Sequence, residues 1–483
     1  MSLTSAFNSA FSGLSAASRT SLLVSENIAN ALTPGYARRT LNLSSHGQGV
    51  PGVLIGGITR HSDPGIVANR RVADADYGIA KVMAEFRTRM TSAVGSSEDP
   101  TSVTARLATF EANLITAASF PESAQRLDTV ALSARDLAAS LSDTAESLRQ
   151  MRASADRSIG QQVDRLNQAL ADVQKINVRI TSTQSGGGST ASLLDQRQLL
   201  VDEINQIVPV NVVERDYGQI ALYSNGGAIL LDGPAARIGF TPANDVTPGM
   251  TIQNGALSGL DINGIAVRTD SRYGALTGGS LGAQFEIRDV VAIEAQADLD
   301  SVARDLVERF QSPGLDATLP AGAPGLFTDK GAFFNAANEV GLSGRLQLNA
   351  IVDPTQGGES WKLRDGLGTT VPGPTGEARF LQALGRALSD TRVLGSGNFG
   401  TGAMNAGQVG SNLLSRFVTA SSVAEQRLSF ASASKAELTQ IELAQGVDTD
   451  TELQSLMEVE QAYAANARVI KAVEDMMDTL LRI

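Results

Sequence analysis

The sequence predicts a mainly α-helical chain with a β insertion. Its parts are paired N- and C-terminal coiled-coil helices, an elongated helical-bundle body, and a small all-β domain inserted in that body. Three observations predict this. Apolar residues recur at heptad spacing at both ends. Residues 122–182 hold no proline and one glycine, Gly160, while apolar side chains step by three and four throughout. From Pro209 to about residue 280 the texture changes to short apolar runs cut by Gly, Pro, Asn and Asp.

In the first helix Leu3, Ala10, Ala17, Val24 and Ala31 share one heptad position, and Phe7, Leu14, Ser21 and Ile28 share the other. Only Arg19 and Glu26 are charged before Thr33-Pro34-Gly35-Tyr36. Pro second and Gly third is type II turn chemistry, and it ends the helix. At the other end, over 451–483, Leu456, Tyr463, Ile470 and Met477 fall on one position. Val459, Asn466, Val473 and Leu480 fall on the other, with Asn466 the polar intruder. Ala462, Val469 and Met476 widen the stripe on one flank, Ala467 and Leu481 on the other. An arc that broad suits more than one neighbour. Two readings stay open: an ordinary intrachain helix pair, or a pair that packs further against copies of itself.

Between the ends, residues 37–63 read as extended and Gly-rich, with strand-like runs at 40–43 and 52–58. Helix follows over 66–92 and, after a break at 95–100, over 101–119. The 122–182 helix would be about 90 Å long if unbroken through Gly160, at 1.5 Å per residue. That length suits a rod-like bundle; continuity is left open. Three consecutive glycines at 186–188 form a flexible joint, and a helix over 190–207 ends before Pro209. Strand signals lie at 210–213, 219–223, 228–231, 237–240, 249–252, 260–262 and 265–268. Helix returns over 281–311, 378–391 and 410–445, with a strand at 345–348 and Gly446 ahead of the last helix. The division is nested: 1–36 with 447–483 as terminal helices, 37–208 with 281–446 as the helical body, and 209–280 as the β insertion.

Composition excludes several functions. At 483 residues the chain can hold two to four domains. With 42% apolar but only 5% aromatic residues, its cores are built of Ala, Leu and Val. A formal net charge of −12 argues against nucleic acid or an anionic membrane as partner. No apolar run is long enough for a membrane span. Without cysteine there is no disulfide, thiolate metal site or cysteine nucleophile. The first residues lack a basic stretch and apolar core, so a cleavable secretory signal is not expected.

The candidate chemical motifs fail one by one. His46 and His61 lie in the Gly-rich extended region, not at ligand spacing on a helix. Gly278-Gly279-Ser280-Leu281-Gly282 has the nucleophile-elbow pattern, but both histidines precede it, so it reads as a strand-to-helix turn. Gly395-Ser396-Gly397-Asn398-Phe399-Gly400 follows a helix rather than a strand and reads as a loop. Asp74-Ala75-Asp76 and Asp448-Thr449-Asp450 are too short for a calcium loop, and the latter suits a helix N-cap. No catalytic or metal residue is assigned and no cofactor is expected.

Ser25-Glu26-Asn27-Ile28-Ala29-Asn30 followed by Thr33-Pro34-Gly35-Tyr36 resembles the N-terminal signature of the bacterial flagellar axial family of rod, hook and hook-associated proteins. Gln461-Ala462-Tyr463-Ala464-Ala465-Asn466-Ala467-Arg468-Val469-Ile470 resembles its C-terminal signature. Leu193-Leu194-Asp195-Gln196-Arg197-Gln198-Leu199-Leu200-Val201-Asp202-Glu203-Ile204, a helix leading into β structure, resembles the hook-associated branch. Residues 210–280 and 312–400 carry no matching motif, and the chain is short for the family, as if an outer β domain were reduced or missing.

The resemblance implies a structural, non-enzymatic component of the flagellum, exported unfolded by the type III apparatus from the cytoplasm to the hook–filament junction. Implied partners are copies of itself, the hook protein, a second hook–filament junction protein, and an export chaperone at the C-terminal helix. Another axial protein, of the hook or rod, is the alternative. A secreted enzyme on an axial scaffold and a stand-alone coiled-coil module are the competing classes. On this reading Leu3, Phe7, Leu14, Val24, Ile28, Leu456, Val459, Tyr463, Asn466, Ile470, Val473, Met477 and Leu480 serve self-assembly, with Asn466 fixing register. The terminal helices are expected to be poorly ordered until assembled.

Overall fold

The long helix is continuous. In the computed structural model, which describes residues 3–45, 52–96, 98–243, 245–270 and 273–482, α4 runs unbroken over Ala124–Ser185. Gly160 stays helical, under Phe240 and Pro242 of the β segment. Ahead of α4 come α1 (Leu3–Ala29), an antiparallel hairpin of β1 (Arg38–Ser45) and β2 (Val53–His61), α2 (Pro64–Val94) and α3 (Val103–Ser119). Asp63 caps α2 with Pro64 in its first turn, and Ser102 caps α3.

After α4 come α5 (Ala191–Ile207) and two three-stranded antiparallel sheets. One holds β3 (Val210–Glu214), β4 (Ile220–Ser224) and β5 (Ile229–Leu231); the other holds β6 (Ile238–Gly239), β7 (Leu260–Ile262) and β8 (Ile265–Val267). Next, α6 (Gly279–Glu286) passes through a π turn at Ile287–Val291 into α7 (Ala292–Phe310). A two-stranded sheet of β9 (Phe327–Asp329) and β10 (Leu346–Leu348) precedes α8 (Lys362–Asp365) and α9 (Arg379–Ser389). The chain closes with α10 (Ala406–Ala444), packed on α2, and α11 (Thr449–Leu481), packed on α1.

Among the described residues, two large apolar cores lie along α4. Its first half joins α2, α3, α7, α9 and α10 around Phe110, Phe310 and Phe327, whose ring centroids stand 5.4–6.0 Å apart. Its second half, from Ile159 to Val173, shares one core with Val201 and Ile204 of α5, Phe285 of α6, and Leu222, Leu230, Ile238 and Leu260 of the two sheets. The sheets therefore pack as a cover on α4, and polar side chains of α4 serve as their backbone partners. Asn167 accepts from Ile238 N and donates to Ile238 O, both at 2.8 Å. Asn177 donates to Ile220 O at 2.9 Å.

The strand expected at 249–252 does not form. Arg152 of α4 instead donates to the carbonyls of Thr247, Pro248 and Met250, and Met250 and Ile252 pack near Ala153. A guanidinium has replaced the neighbouring strand as hydrogen-bond partner. Beside it Arg288 and Asp156, both fully buried, pair at 2.7 Å, with Arg288 against the Phe240 and Phe285 rings.

The chemical motifs fall where loops, turns and caps were expected. Gly278, at φ 86°, leads into α6, and Ser280 Oγ donates to Gln206 O. Residues 395–400 form a loop against α7. Asp448 caps α11 through the amides of Asp450 and Thr451. His61 hydrogen-bonds Thr40 across the hairpin; His46 lies outside the described residues. No helix among them is long and apolar enough to cross a membrane.

Candidate assembly site: the terminal helix pair and its joint

The pair α1–α11 is narrow where it is closed and apolar where it is open. On α1, Ala10, Ala17 and Val24 are buried; on α11, Val473 is buried and Leu456, Val459, Asn466 and Ile470 are half-buried. Leu3, Leu14 and Ile28 are half-buried as well. Small side chains on α1 permit close approach. At Gly13 a Cβ would stand 2.8 Å from Asn466 Nδ2. The Asn466 amide donates to Ala462 O of its own helix at 3.0 Å. Its fit to α1 is thus the seat provided by Gly13, a residue the heptad reading passed over.

The other expected seam residues stay largely exposed in this pairing. Tyr463, Met477 and Leu480 are exposed on α11, as is Phe7 on α1, where it stacks on Phe11. With 3.6 residues per turn, a straight helix drifts off a heptad stripe by about 20° per repeat, so one neighbour cannot cover the whole set. Phe11, Leu22, Leu453 and Met457 extend the uncovered apolar surface, each at least 50% exposed.

The base of the pair is a polar joint. Asn27 is 1% exposed and uses both donors and both acceptor positions. Its Nδ2 donates to Arg39 O at 2.9 Å and Glu452 Oε2 at 3.0 Å; its Oδ1 accepts from Tyr36 OH at 2.8 Å and Arg39 N at 3.0 Å. Glu452, equally buried, also accepts from Arg38 Nε at 2.6 Å. One asparagine therefore fastens α1, the Thr33-Pro34-Gly35-Tyr36 turn, β1 and the first turn of α11. Burial raises the Tyr36 pKa, against the opposing charge of Arg39. Gly35 has φ 77°, and a Cβ there would meet Leu199 of α5 at 2.8 Å. That turn needs glycine both for its backbone and for its contact.

On the hairpin's other side stands α5. Asp195 receives Arg39 Nη2 at 2.5 Å and Arg60 Nε at 2.7 Å. Gln198 accepts from Arg60 and donates to Glu442 of α10 at 3.1 Å. Arg70 of α2 joins Asp74, Asp202 and Glu442, and Arg71 joins Asp202 at 2.6 Å. Burial alone would lower the Arg70 pKa, but the three carboxylates, led by Asp202, raise it. Arg197 turns the other way and binds α5 to α4 through Asn177 Oδ1 at 3.1 Å and to Gly218 O at 2.6 Å.

Two stretches singled out in the sequence, 25–36 and 193–204, thus meet at one node, more than 150 positions apart. Glu452, Arg38, Arg39, Arg60, Arg70 and Glu442 complete it and were not found by pattern. A signal existed for Glu452, which stands four residues before Leu456 and so on the buried side of α11. Among the described residues no group of three or more His, Cys, Asp and Glu is placed to hold a metal ion.

Comparison with known proteins agrees with this anatomy. The sequence model of the flagellar hook-associated protein FlgK helical domain matches residues 88–325, and that of the flagellar basal body rod FlgEFG protein C-terminal region matches 444–483. Over those stretches this chain is similar to flagellar hook-associated and rod proteins. The helical-domain match runs through 210–280, where no motif was legible.

Flagellar hook-associated protein 1 of Escherichia coli (strain K12) is 26% identical over 66% of this chain and 59% of that protein. The Salmonella typhimurium protein of the same name is 30% identical over 49% of this chain and 44% of its own length. That of Bacillus subtilis (strain 168) is 22% identical over 94% and 93%. The chain thus spans about half the length of the enterobacterial relatives. A solved flagellar hook junction protein FlgK from Burkholderia pseudomallei aligns over 54% of this chain and 46% of that chain, at 20% identity and a TM-score of 0.44.

Proposed function

We propose that this chain is a structural component of the flagellar hook–filament junction that assembles with copies of itself through its terminal helices. The carrying observation is the α1–α11 pair. It is anchored to the body by a fully satisfied buried asparagine, yet leaves Phe11, Leu22, Met457, Met477 and Leu480 uncovered. Such an apolar surface on an anchored helix pair calls for neighbours. A repeated contact between unlike patches generates a helical array when its rotation does not close. The division into a terminal unit (1–36, 447–483), a body (37–208, 281–446) and an insertion (209–280) follows the same logic: the terminal unit builds the tube, the body spaces and orients it.

The proposed neighbours are the hook protein on one side and a second junction protein on the other. Before export, a chaperone would shield the C-terminal helix. The test is complementation of a strain lacking the gene. The native chain restores filaments and is found between hook and filament by immunogold labelling. Filaments of normal number without the chain, or labelling along hook or rod, would overturn the junction assignment. Hydrogen exchange on the purified chain adds a second test: residues 3–29 and 449–481 are expected to exchange faster than α4 and to slow on assembly.

A further inference from the structure

The hairpin sets two like charges side by side. Arg39 of β1 and Arg60 of β2 stand directly opposite in the antiparallel register, and their side chains are only 14% and 12% exposed. Like charges so placed repel. Among the described residues Arg60 has one carboxylate partner, Asp195; its other partners, Ser62, Gln198 and Gly35 O, are neutral. Arg39 has Asp195 at 2.5 Å and Glu26, an exposed residue, at 3.4 Å. One carboxylate therefore holds the pair, with Oδ2 on Arg39 and Oδ1 on Arg60.

That carboxylate belongs to the body. Asp195 stands on α5, which is seated by buried Leu193, Val201 and Ile204 and tied to α4 by Arg197. Asp195, Gln198 and Leu199, at i, i+3 and i+4, share one face of α5. They meet the hairpin, Glu442 of α10 and the Gly35 turn. Among the described residues every ion pair between hairpin and body ends on Asp195. The backbone joins the terminal pair and its hairpin to the body at two short links, residues 62–63 and 445–448. We propose that Asp195 is a positioning residue that fixes the angle between the terminal helix pair and the body. Removing its charge leaves Arg60 without a counter-ion where water is scarce. The hairpin then moves off α5 about the two links and carries α1 and α11 with it through Asn27. The inference rests on the proposed self-assembly and deepens it: this angle sets how each copy presents its terminal pair to the next.

The chain has no cysteine, so Glu437→Cys on α10 and Glu460→Cys on α11, both exposed positions, take spin labels uniquely. Pulsed electron paramagnetic resonance on the purified full chain then reads the distance between the two helices. The labelled chain with Asp195 in place should give the narrowest distribution. Asp195→Asn keeps the shape and removes the charge, and should broaden the distribution and shift its mean. Asp195→Lys adds a third cation and should shift it further. Adding Arg39→Gln and Arg60→Gln to Asp195→Asn should narrow it again, a rescue that a merely space-filling role of this position does not give. The denaturant midpoint of the main transition should match the native one in Asp195→Asn, which separates a moved unit from an unfolded chain. Native distributions in both Asp195→Asn and Asp195→Lys, no narrowing on removal of the two arginines, or broadening only with a fall in the midpoint would each overturn the role of Asp195 and leave the junction reading intact. Filaments of normal number without the chain overturn the junction reading and leave the measured angle as a property of the fold.

Discussion

The body and the terminal pair are both helical, yet they close in opposite ways. In the body, α4 buries apolar residues along its whole length, and even its charges are matched, as in Arg288–Asp156 at full burial. In the terminal pair, α11 buries only Glu452 and Val473 outright. The body is finished within one chain; the pair is finished at its base and open above. The joint, where Asn27, Glu452, Arg39 and Asp195 meet, marks the border between the two regimes.

The sharpest way to break this contrast is to charge the seam. Leu456→Asp with Ile470→Asp should abolish filament assembly, scored by electron microscopy and swimming, while the main thermal unfolding transition of the purified full chain stays unchanged. Normal filaments from that variant would sink the assembly reading. Asp156→Leu is the opposite probe. It removes one of the two carboxylates on fully buried Arg288, which keeps Asp289 at 2.8 Å, and should cost about 3 kcal/mol, seen in the denaturant midpoint of the body.

The joint should respond between these extremes. Asn27→Ala removes the partner of Glu452 Oε2, the Arg39 amide and carbonyl and the Tyr36 hydroxyl, while Glu452 keeps Arg38; it should cost about 1–3 kcal/mol, read as faster amide exchange in 3–29 with α4 unaffected. Equal slowing or quickening of both would show that border and body are one cooperative unit. Gly35→Ala adds left-handed strain and the Leu199 contact, with an expected cost of about 1 kcal/mol or more by the same readout.

The smallest effect is at the surface of α4. Hydrogen bonds from Arg149, then Gln150, hold the Glu146 carboxylate at about 2, below its ordinary 4.5. Its folded pKa is depressed, so its contribution is present above the unfolded value and is lost as pH falls through the folded one. Glu146→Gln should therefore flatten the acid limb between about pH 4.5 and 2 slightly, because solvent screens this exposed group.

Periodicity and punctuation made the architecture legible. Leu127, Leu141, Ile159 and Leu170 marked helix over 122–182, though not its continuity through Gly160, Pro34-Gly35 ended α1, and Asp448 started α11. Local steric and capping preferences suffice for such features, since each involves residues a few positions apart. The expected seam was legible as a stripe, but the depth of cover along it was not: Val473 is buried, Leu456, Val459 and Ile470 are half-buried, and Tyr463, Met477 and Leu480 are exposed. Gly13 opposite Asn466 escaped because its meaning lies in the partner helix.

By itself the sequence determined the helices, their ends, the uncharged first helix and the absence of cysteine chemistry. Those are properties of neighbouring residues and of composition. Only the tertiary structure decided that Arg39 and Arg60 share Asp195, that Asn27 meets Glu452 across 425 positions, and that 249–252 is held by Arg152 rather than by a strand. Charges of this kind have many possible partners along a chain of 483 residues. The path of the backbone, set by burial of the apolar stripes, selects which of them come within hydrogen-bonding distance.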